Sequence, residues 1–201
     1  MSEPTTPRRT QAERTQQRKE QLIREAIRFF AQDGFRGAKL ADIARAAGVT
    51  EPGLLHHFPK KEQLLMEVLA ERDRIDQERF NALLHTEIGG TLTSFQKIVE
   101  YNETVPGLVQ LFTVLVAESI VEEHPGHEYF MRRYQTARVR NTEILSQAQA
   151  RGEIRRDIPS EDLGMMLFAM MDGLQIQWLY EPEKVDMGRI FEQFVRLLRG
   201  N

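Results

Sequence analysis

The chain has 201 residues, of which 41% are hydrophobic and 28% charged, a composition typical of a globular protein with a buried core. It contains no cysteine, which excludes disulfide bridges and thiolate metal sites. The N-terminus lacks the apolar segment of a signal peptide, and no run of about 20 uncharged apolar residues occurs. We therefore expect a cytoplasmic protein without a membrane span.

Charge is unevenly distributed along the chain. Residues 1–61 hold twelve Lys/Arg and seven Asp/Glu, whereas residues 62–201 hold fifteen and twenty-three. A basic N-terminal third beside an acidic remainder fits contact with nucleic acid at one end, although chance variation of surface charge is an alternative. Residues 1–17 are rich in Pro, Thr, Arg and Gln, and we predict that they form a disordered basic tail.

A first helix is predicted from about Arg18 to Gln32, with Gly34 at its end. Its apolar positions share one stripe: Leu22, Ile23, Ala26, Ile27 and Phe30. A long helix is predicted to start at Lys60 and Lys61, after Pro59, and to close at Gly89 and Gly90. We expect it to connect an N-terminal domain, residues 18–62, to a second domain, residues 63–201.

Between these helices, residues 39–58 have the pattern of a helix-turn-helix. Apolar residues recur at helical spacing up to Ala47, and Gly48 suits the left-handed conformation that follows a helix end. Thr50 is a good N-cap for a second helix, whose first turn tolerates Pro52. Leu54 and Phe58 form an apolar pair that we assign to the core. Such a motif places its second helix in the DNA major groove.

The flanking residues extend this pattern from Leu22 to Leu65. They read LIREAIRFFAQDGFRGAKLADIARAAGVTEPGLLHHFPKKEQLL. This stretch resembles the N-terminal DNA-binding domain of the tetracycline-repressor (TetR) family of bacterial transcriptional regulators. The resemblance implies an all-α protein with a three-helix DNA-binding domain and a C-terminal helical domain for ligand binding and dimerisation.

Candidate DNA contacts lie on and around the second helix of the motif. We expect base contacts from its exposed first turns: Glu51, Pro52, Gly53 and His56. We expect phosphate contacts, which position the protein without specifying sequence, from Lys39, Thr50, His57 and Lys61. Lys61 matches the family's lysine at the start of the fourth helix. The family usually has a tyrosine where this chain has Leu55, which removes one expected phosphate contact.

The remainder of the chain is predicted to be helical throughout, and its last two helices, 161–180 and 187–198, are apolar nearly all round. Such helices must be buried on two sides, which a four-helix interface between two chains explains; a deep monomer core is the alternative. An effector pocket is predicted between the helices, lined by Phe112, Val116, Ser119, Met131, Tyr134, Phe168, Met171, Asp172 and Gln175. These residue types also suit an ordinary apolar core, and the acidic Asp172 is the one that fits such a core least.

No sequence signature of an enzyme, a cofactor or a nucleotide-binding loop is present, so we expect no catalytic residues and no cofactor. His124 and His127 flank a turn with Glu122, Glu123 and Glu128 nearby, but two nitrogen ligands favour a solvated acidic loop over a metal site. The sequence therefore predicts a homodimeric repressor, released from a palindromic double-stranded operator by a small molecule. The alternative is a small-molecule-binding or enzymatic bundle whose helix-turn-helix is purely structural.

Overall fold

The structure is a computed structural model that describes residues 10–84 and 90–199. Within these ranges the chain forms nine α-helices and no strand, as the all-α prediction requires. In chain order they are α1 (Gln11–Gly37), α2 (Leu40–Ala46), α3 (Glu51–His57), α4 (Lys61–Leu84), α5 (Gly90–Glu103), α6 (Pro106–Glu118), α7 (His127–Ala150), α8 (Ser160–Tyr180) and α9 (Met187–Arg199). None of the described helices is long and apolar enough to cross a membrane.

The first helix begins earlier than the sequence prediction placed it. The Thr10 hydroxyl accepts the Glu13 N–H at 3.2 Å, and the Glu13 carboxylate accepts the Thr10 N–H at 2.7 Å. This reciprocal capping box starts α1 at Gln11. The prediction of disorder is therefore wrong for residues 11–17, where Gln, Ala, Glu and Arg favour a helix. Residues 1–9 of the predicted tail lie outside the described residues.

Other helix boundaries differ by a few residues. The helices α8 (Ser160–Tyr180) and α9 (Met187–Arg199) are each one residue longer than predicted. Of the two glycines predicted to close α4, Gly89 lies outside the described residues and Gly90 begins α5. These shifts leave the order of the helices as predicted.

Two clusters of buried residues hold the helices together. The first joins α1–α4 to α6 and α7, and it includes Phe30, Leu54, Leu65, Leu115 and Phe130. The second joins α5 and α6 to α7, α8 and α9 through residues such as Leu145, Leu167 and Phe191. The first cluster crosses the predicted domain boundary at residue 62, because α6 packs along α1. The N-terminal helices are thus attached to the rest by a continuous apolar core.

Candidate DNA-binding surface and effector site

The turn between α2 and α3 has the geometry that the sequence predicts. Gly48 has a φ of 69°, and the Val49 N–H closes the turn by donating to the Ala44 carbonyl oxygen at 2.9 Å. The Thr50 hydroxyl accepts the Gly53 N–H at 3.2 Å, which caps α3. The glycine turn and the threonine N-cap are both confirmed, and together they fix where α3 begins.

The helix α3 is anchored by one face and exposed on the other. Leu54 and the following Phe58 are buried with Ile43 of α2, which confirms their assignment to the core. Glu51, Pro52 and His56 are exposed, and Gly53 and Leu55 are half-buried. An anchored helix with a free first turn is the arrangement that a recognition helix needs in order to reach base edges.

Two basic residues of α1, which we did not single out from the sequence, lie beside this surface. The Arg18 guanidinium donates to the Ala47 carbonyl oxygen at 3.1 Å, and the Lys19 ammonium lies 5.9 Å from the centre of the Phe58 ring. Burial and the positive charges of His56, Lys19 and Arg18 lower the pKa of His57. The segment RTQQRK contains both residues, and predicting it as part of α1 would have indicated that their charges lie near α3.

The two predicted phosphate-binding lysines are placed differently. Lys39 is exposed at the N-cap of α2. The Lys61 ammonium instead lies 3.4 Å from the Arg36 carbonyl oxygen and 4.8 Å from the centre of the Phe35 ring. Burial lowers the pKa of Lys61, against the attraction of Glu118 and Glu62. Its phosphate contact stays a prediction, and the ammonium has further N–H donors besides the one directed at the Arg36 carbonyl.

Glu118, at the C-terminal end of α6, reaches into the N-terminal helices. Its carboxylate accepts the Phe35 N–H at 2.6 Å. His124, in the turn after α6, is buried with its ring 5.2 Å from the Phe35 ring. Gly34 makes room for this contact, because a Cβ there would overlap a Glu118 carboxylate oxygen. The end of α6 and the C-terminal end of α1, where Gly34 interrupts the helical conformation, are therefore locked together.

The histidines of this turn are engaged within the protein. His124 Nδ1 accepts the Gly126 N–H at 3.0 Å and lies 2.9 Å from the Ser119 hydroxyl, and His127 Nδ1 lies 2.8 Å from the Ser119 carbonyl oxygen. In the described part of the chain, no three His, Asp or Glu side chains are grouped as a metal site would require.

Part of the predicted effector site is brought together between α6, α7 and α8. The Tyr134 hydroxyl donates to the Asp172 carboxylate at 2.8 Å, and the Tyr134 and Phe168 rings are 6.0 Å apart. Burial raises the pKa of Asp172, although the Tyr134 hydrogen bond and the charges of Arg72 and Arg133 oppose that rise. An acidic group held in an apolar, aromatic setting is suited to orienting a small ligand.

The other predicted pocket residues have varied positions. Val116 and Met171 are half-buried and Gln175 is buried. Ser119 lies instead at the junction with the N-terminal helices, against His124, and Met131 exposes 43% of its surface. A separate cleft of about 440 Å³ lies between α5 and α9, but charged residues line much of it, unlike most small-molecule sites.

A charged network beneath this site was missed from the sequence. Arg133 of α7 pairs with Asp73 and Asp76 of α4, and Asp73 also accepts the Tyr129 hydroxyl at 2.5 Å. Arg72 is buried, and its guanidinium lies 4.0 Å from the centre of the Phe112 ring. Adjacent charged residues such as Arg72 and Asp73 of α4 usually indicate a solvent-exposed helix face. The available signal was that Arg72 continues the buried stripe of Leu65 and Leu69.

Comparison with known proteins decides what this arrangement is. Residues 22–68 match the family model of bacterial regulatory proteins of the tetR family. The transcriptional regulator TtgR of Pseudomonas putida is 26% identical over 94% of this chain and 92% of its own length. The transcriptional repressor KstR2 of Mycolicibacterium smegmatis is 23% identical over 91% of this chain and 89% of its own length.

The chain belongs to the TetR family. A regulator from Saccharomonospora viridis, crystallised with choline, shares its fold with a TM-score of 0.77 at 22% identity, over 90% of this chain and 96% of that one. The TetR-family protein described here is thus a DNA-binding transcriptional regulator. Its relatives are transcriptional regulators rather than enzymes, and the alternative of a purely structural helix-turn-helix is not favoured.

Proposed function

We propose that this TetR-family protein is a homodimeric repressor that leaves its operator when a small-molecule effector binds between α4, α6, α7 and α8. The observation that carries the proposal is the anchored helix α3, whose first turn is exposed and whose C-terminal residue His57 lies within the electrostatic reach of Arg18 and Lys19. The exposed turn supplies base contacts, while the surrounding cations attract the phosphate backbone.

Selection from random DNA duplexes tests the regulator function. A palindromic sequence should be enriched, and its affinity should fall steeply as salt rises, because binding releases counterions from the phosphates. Failure to enrich any sequence would contradict the proposal.

Single substitutions then separate the two kinds of DNA contact. Altering Glu51 or His56 should change the preferred bases, because these side chains extend from the exposed turn of α3. Lys39→Ala and Lys61→Ala should instead weaken binding to all sequences alike and reduce the salt slope by about one unit each. A changed base preference in either lysine variant would contradict the phosphate assignment.

A stripe of exposed side chains along α8 supports the dimer. Leu163, Leu167, Leu174 and Trp178 of this helix are already buried inside the protomer. A second face of the same helix stays exposed with residues at helical spacing, namely Met165, Met166, Ala169, Ile176 and Tyr180. Leu197 of α9 is exposed as well. A matching surface from a second copy would bury this stripe.

Ile176→Glu should therefore dissociate the dimer and weaken operator binding. Val121→Glu is a matched control, because both side chains are 45% exposed and Val121 lies in the turn after α6. Sedimentation analysis measures the outcome. A dimer that survives Ile176→Glu would place the interface elsewhere.

The effector site is supported by the hydrogen-bonded pair of Tyr134 and Asp172. A related regulator of the same fold was crystallised with choline, so this helical architecture can hold a small molecule. We expect Asp172→Ala to impair release by a small molecule that frees the wild-type protein from its operator. Operator affinity and dimerisation should be unchanged. If the small molecule releases the variant from its operator normally, Asp172 is not part of the effector site.

A further inference from the structure

Arg72 is a buried cation whose hydrogen-bonding capacity is incompletely used. It keeps 9% of its surface exposed, and its Nε and Nη1 atoms are buried without an acceptor. Nη1 lies 3.2 Å from an Asp76 carboxylate oxygen, close enough for ion pairing, but the geometry does not make a hydrogen bond. A buried donor without an acceptor is unfavourable, and more so when it is charged.

The groups around Arg72 have partners of their own. Arg133 is held by Asp73 and Asp76, while the Asp172 carboxylate accepts the Tyr134 hydroxyl. Arg72 borders the effector site, because its guanidinium lies 4.0 Å from the centre of the ring of Phe112, one of the predicted pocket residues. Among the described side chains where α4, α6, α7 and α8 meet, the group with donors left without an acceptor is the Arg72 guanidinium, which is a cation.

Aromatic residues border the same place. The Arg72 guanidinium lies over the Phe112 ring, and Phe168 packs against Tyr134 on the α8 side. These rings offer apolar contact to the body of a ligand, while the guanidinium is suited to a carboxylate, with which arginine forms short, charge-assisted hydrogen bonds.

We propose that the effector is a small organic acid whose carboxylate binds Arg72 and whose apolar body packs against Phe112 and Phe168. The proposal rests on the effector site proposed above, and it specifies the chemical class of that effector. Arg72 is the residue that selects an anion over a neutral or cationic molecule of the same shape.

Isothermal titration calorimetry without DNA tests this directly. The probes are phenylacetate, 2-naphthoate and decanoate, each compared with its primary amide and with the amine of the same carbon skeleton. At least one carboxylate should bind about ten- to a hundred-fold more tightly than its amide, because hydrogen bonds to charged groups are stronger than those to neutral ones. The amines should bind more weakly still.

Two variants assign the preference to Arg72. Arg72→Met keeps the volume and removes the donors, so it should abolish the preference for the carboxylate, whereas Arg72→Lys should keep part of it. Arg74→Met is the matched control, because Arg74 lies on the same helix but is exposed and pairs with Glu71 and Glu78. Melting temperatures of all variants without ligand show whether each one is folded.

The proposal is overturned if no carboxylate binds better than its amide, or if a folded Arg72→Met variant keeps the wild-type preference. Operator binding is measured separately without ligand. Loss of the carboxylate preference in a protein that still binds its operator would reject the effector class alone. Absence of a specific operator would reject the regulator function, whatever the calorimetry shows.

Discussion

Gly34 offers a quantitative test of the contact between α6 and the N-terminal helices. Its backbone has φ 69° and ψ 177°, a region that essentially only glycine occupies. A Cβ at this position would meet the Glu118 carboxylate, which accepts the Phe35 N–H. Gly34→Ala should therefore strain the backbone and also displace Glu118 from its hydrogen bond.

The expected cost follows from these two effects. The backbone strain amounts to about 1–3 kcal/mol. Loss of a charge-assisted hydrogen bond to a partly buried N–H adds about 1.5–3 kcal/mol. Gly48 has the same φ of 69°, but a Cβ added there would have no atom within 4 Å, so Gly48→Ala should cost only about 1–2 kcal/mol.

Urea denaturation at one fixed protein concentration measures the free energies of unfolding, since the stability of a dimer depends on concentration. The assay compares Gly34→Ala with and without the additional change Glu118→Ala. Once the Glu118 carboxylate is absent, Gly34→Ala should cost only its strain, so the two changes should be non-additive by about 1.5–3 kcal/mol. Additive effects would refute the role that we give to Glu118.

Three further outcomes are expected. Thr50→Ala should destabilise the protein by about 1 kcal/mol through loss of the α3 N-cap, and Thr50→Ser should not, as urea denaturation can show. Burial lowers the pKa of His124 from its usual 6.5, against attraction from Glu118 and together with repulsion from Arg36. The unfolded chain therefore binds a proton more readily, so stability should fall as the pH drops below about 6.5, and a His124→Asn variant should show a flatter profile between pH 7 and 5. Glu118→Gln should weaken the coupling between effector and operator, as binding titrations can measure.

The helix-turn-helix could be predicted because its determinants are local. Gly48 ends one helix and Thr50 starts the next, and each acts on residues no more than four positions away. Apolar spacing likewise identified the buried residues Leu54 and Phe58. The start of α1 was missed although it is also local, because the composition of the tail outweighed the capping pair of Thr10 and Glu13.

The residues that the sequence did not reveal depend on contacts between distant positions. Glu118 bonds to Phe35, 83 positions away, and Arg133 bonds to Asp73, 60 positions away. Neither pair can be recognised from the spacing of residues in the sequence. A charged residue on a helix usually faces solvent, so its charge does not reveal a distant partner. The stripe of Leu65 and Leu69 could have indicated that Arg72 is buried, but its contact with the Phe112 ring appears only when α4 packs against α6.

The packing also indicates a second route for the regulatory signal. From the sequence, the long helix α4 was expected to connect the two domains. In the structure α6 carries both Phe112, which lies against Arg72 at the proposed effector site, and Glu118, which accepts the Phe35 N–H at the C-terminal end of α1. They lie six positions apart on one helix, a rise of about 9 Å. A ligand that displaces α6 at Phe112 would therefore also move Glu118.

Glu118→Gln tests this route, because it keeps the shape of the side chain and removes the charge that strengthens its bond to Phe35. An effector acts only through the difference in its affinity for the two conformations, and operator DNA must weaken effector binding by the same factor. That factor should fall in the Glu118→Gln variant whether it is measured by titrating operator or by titrating effector. Affinity for the effector without DNA should change little, since Glu118 lies about 9 Å along α6 from Phe112. An unchanged factor would assign the signal to α4, whose N-terminal Lys61 also contacts the C-terminal end of α1.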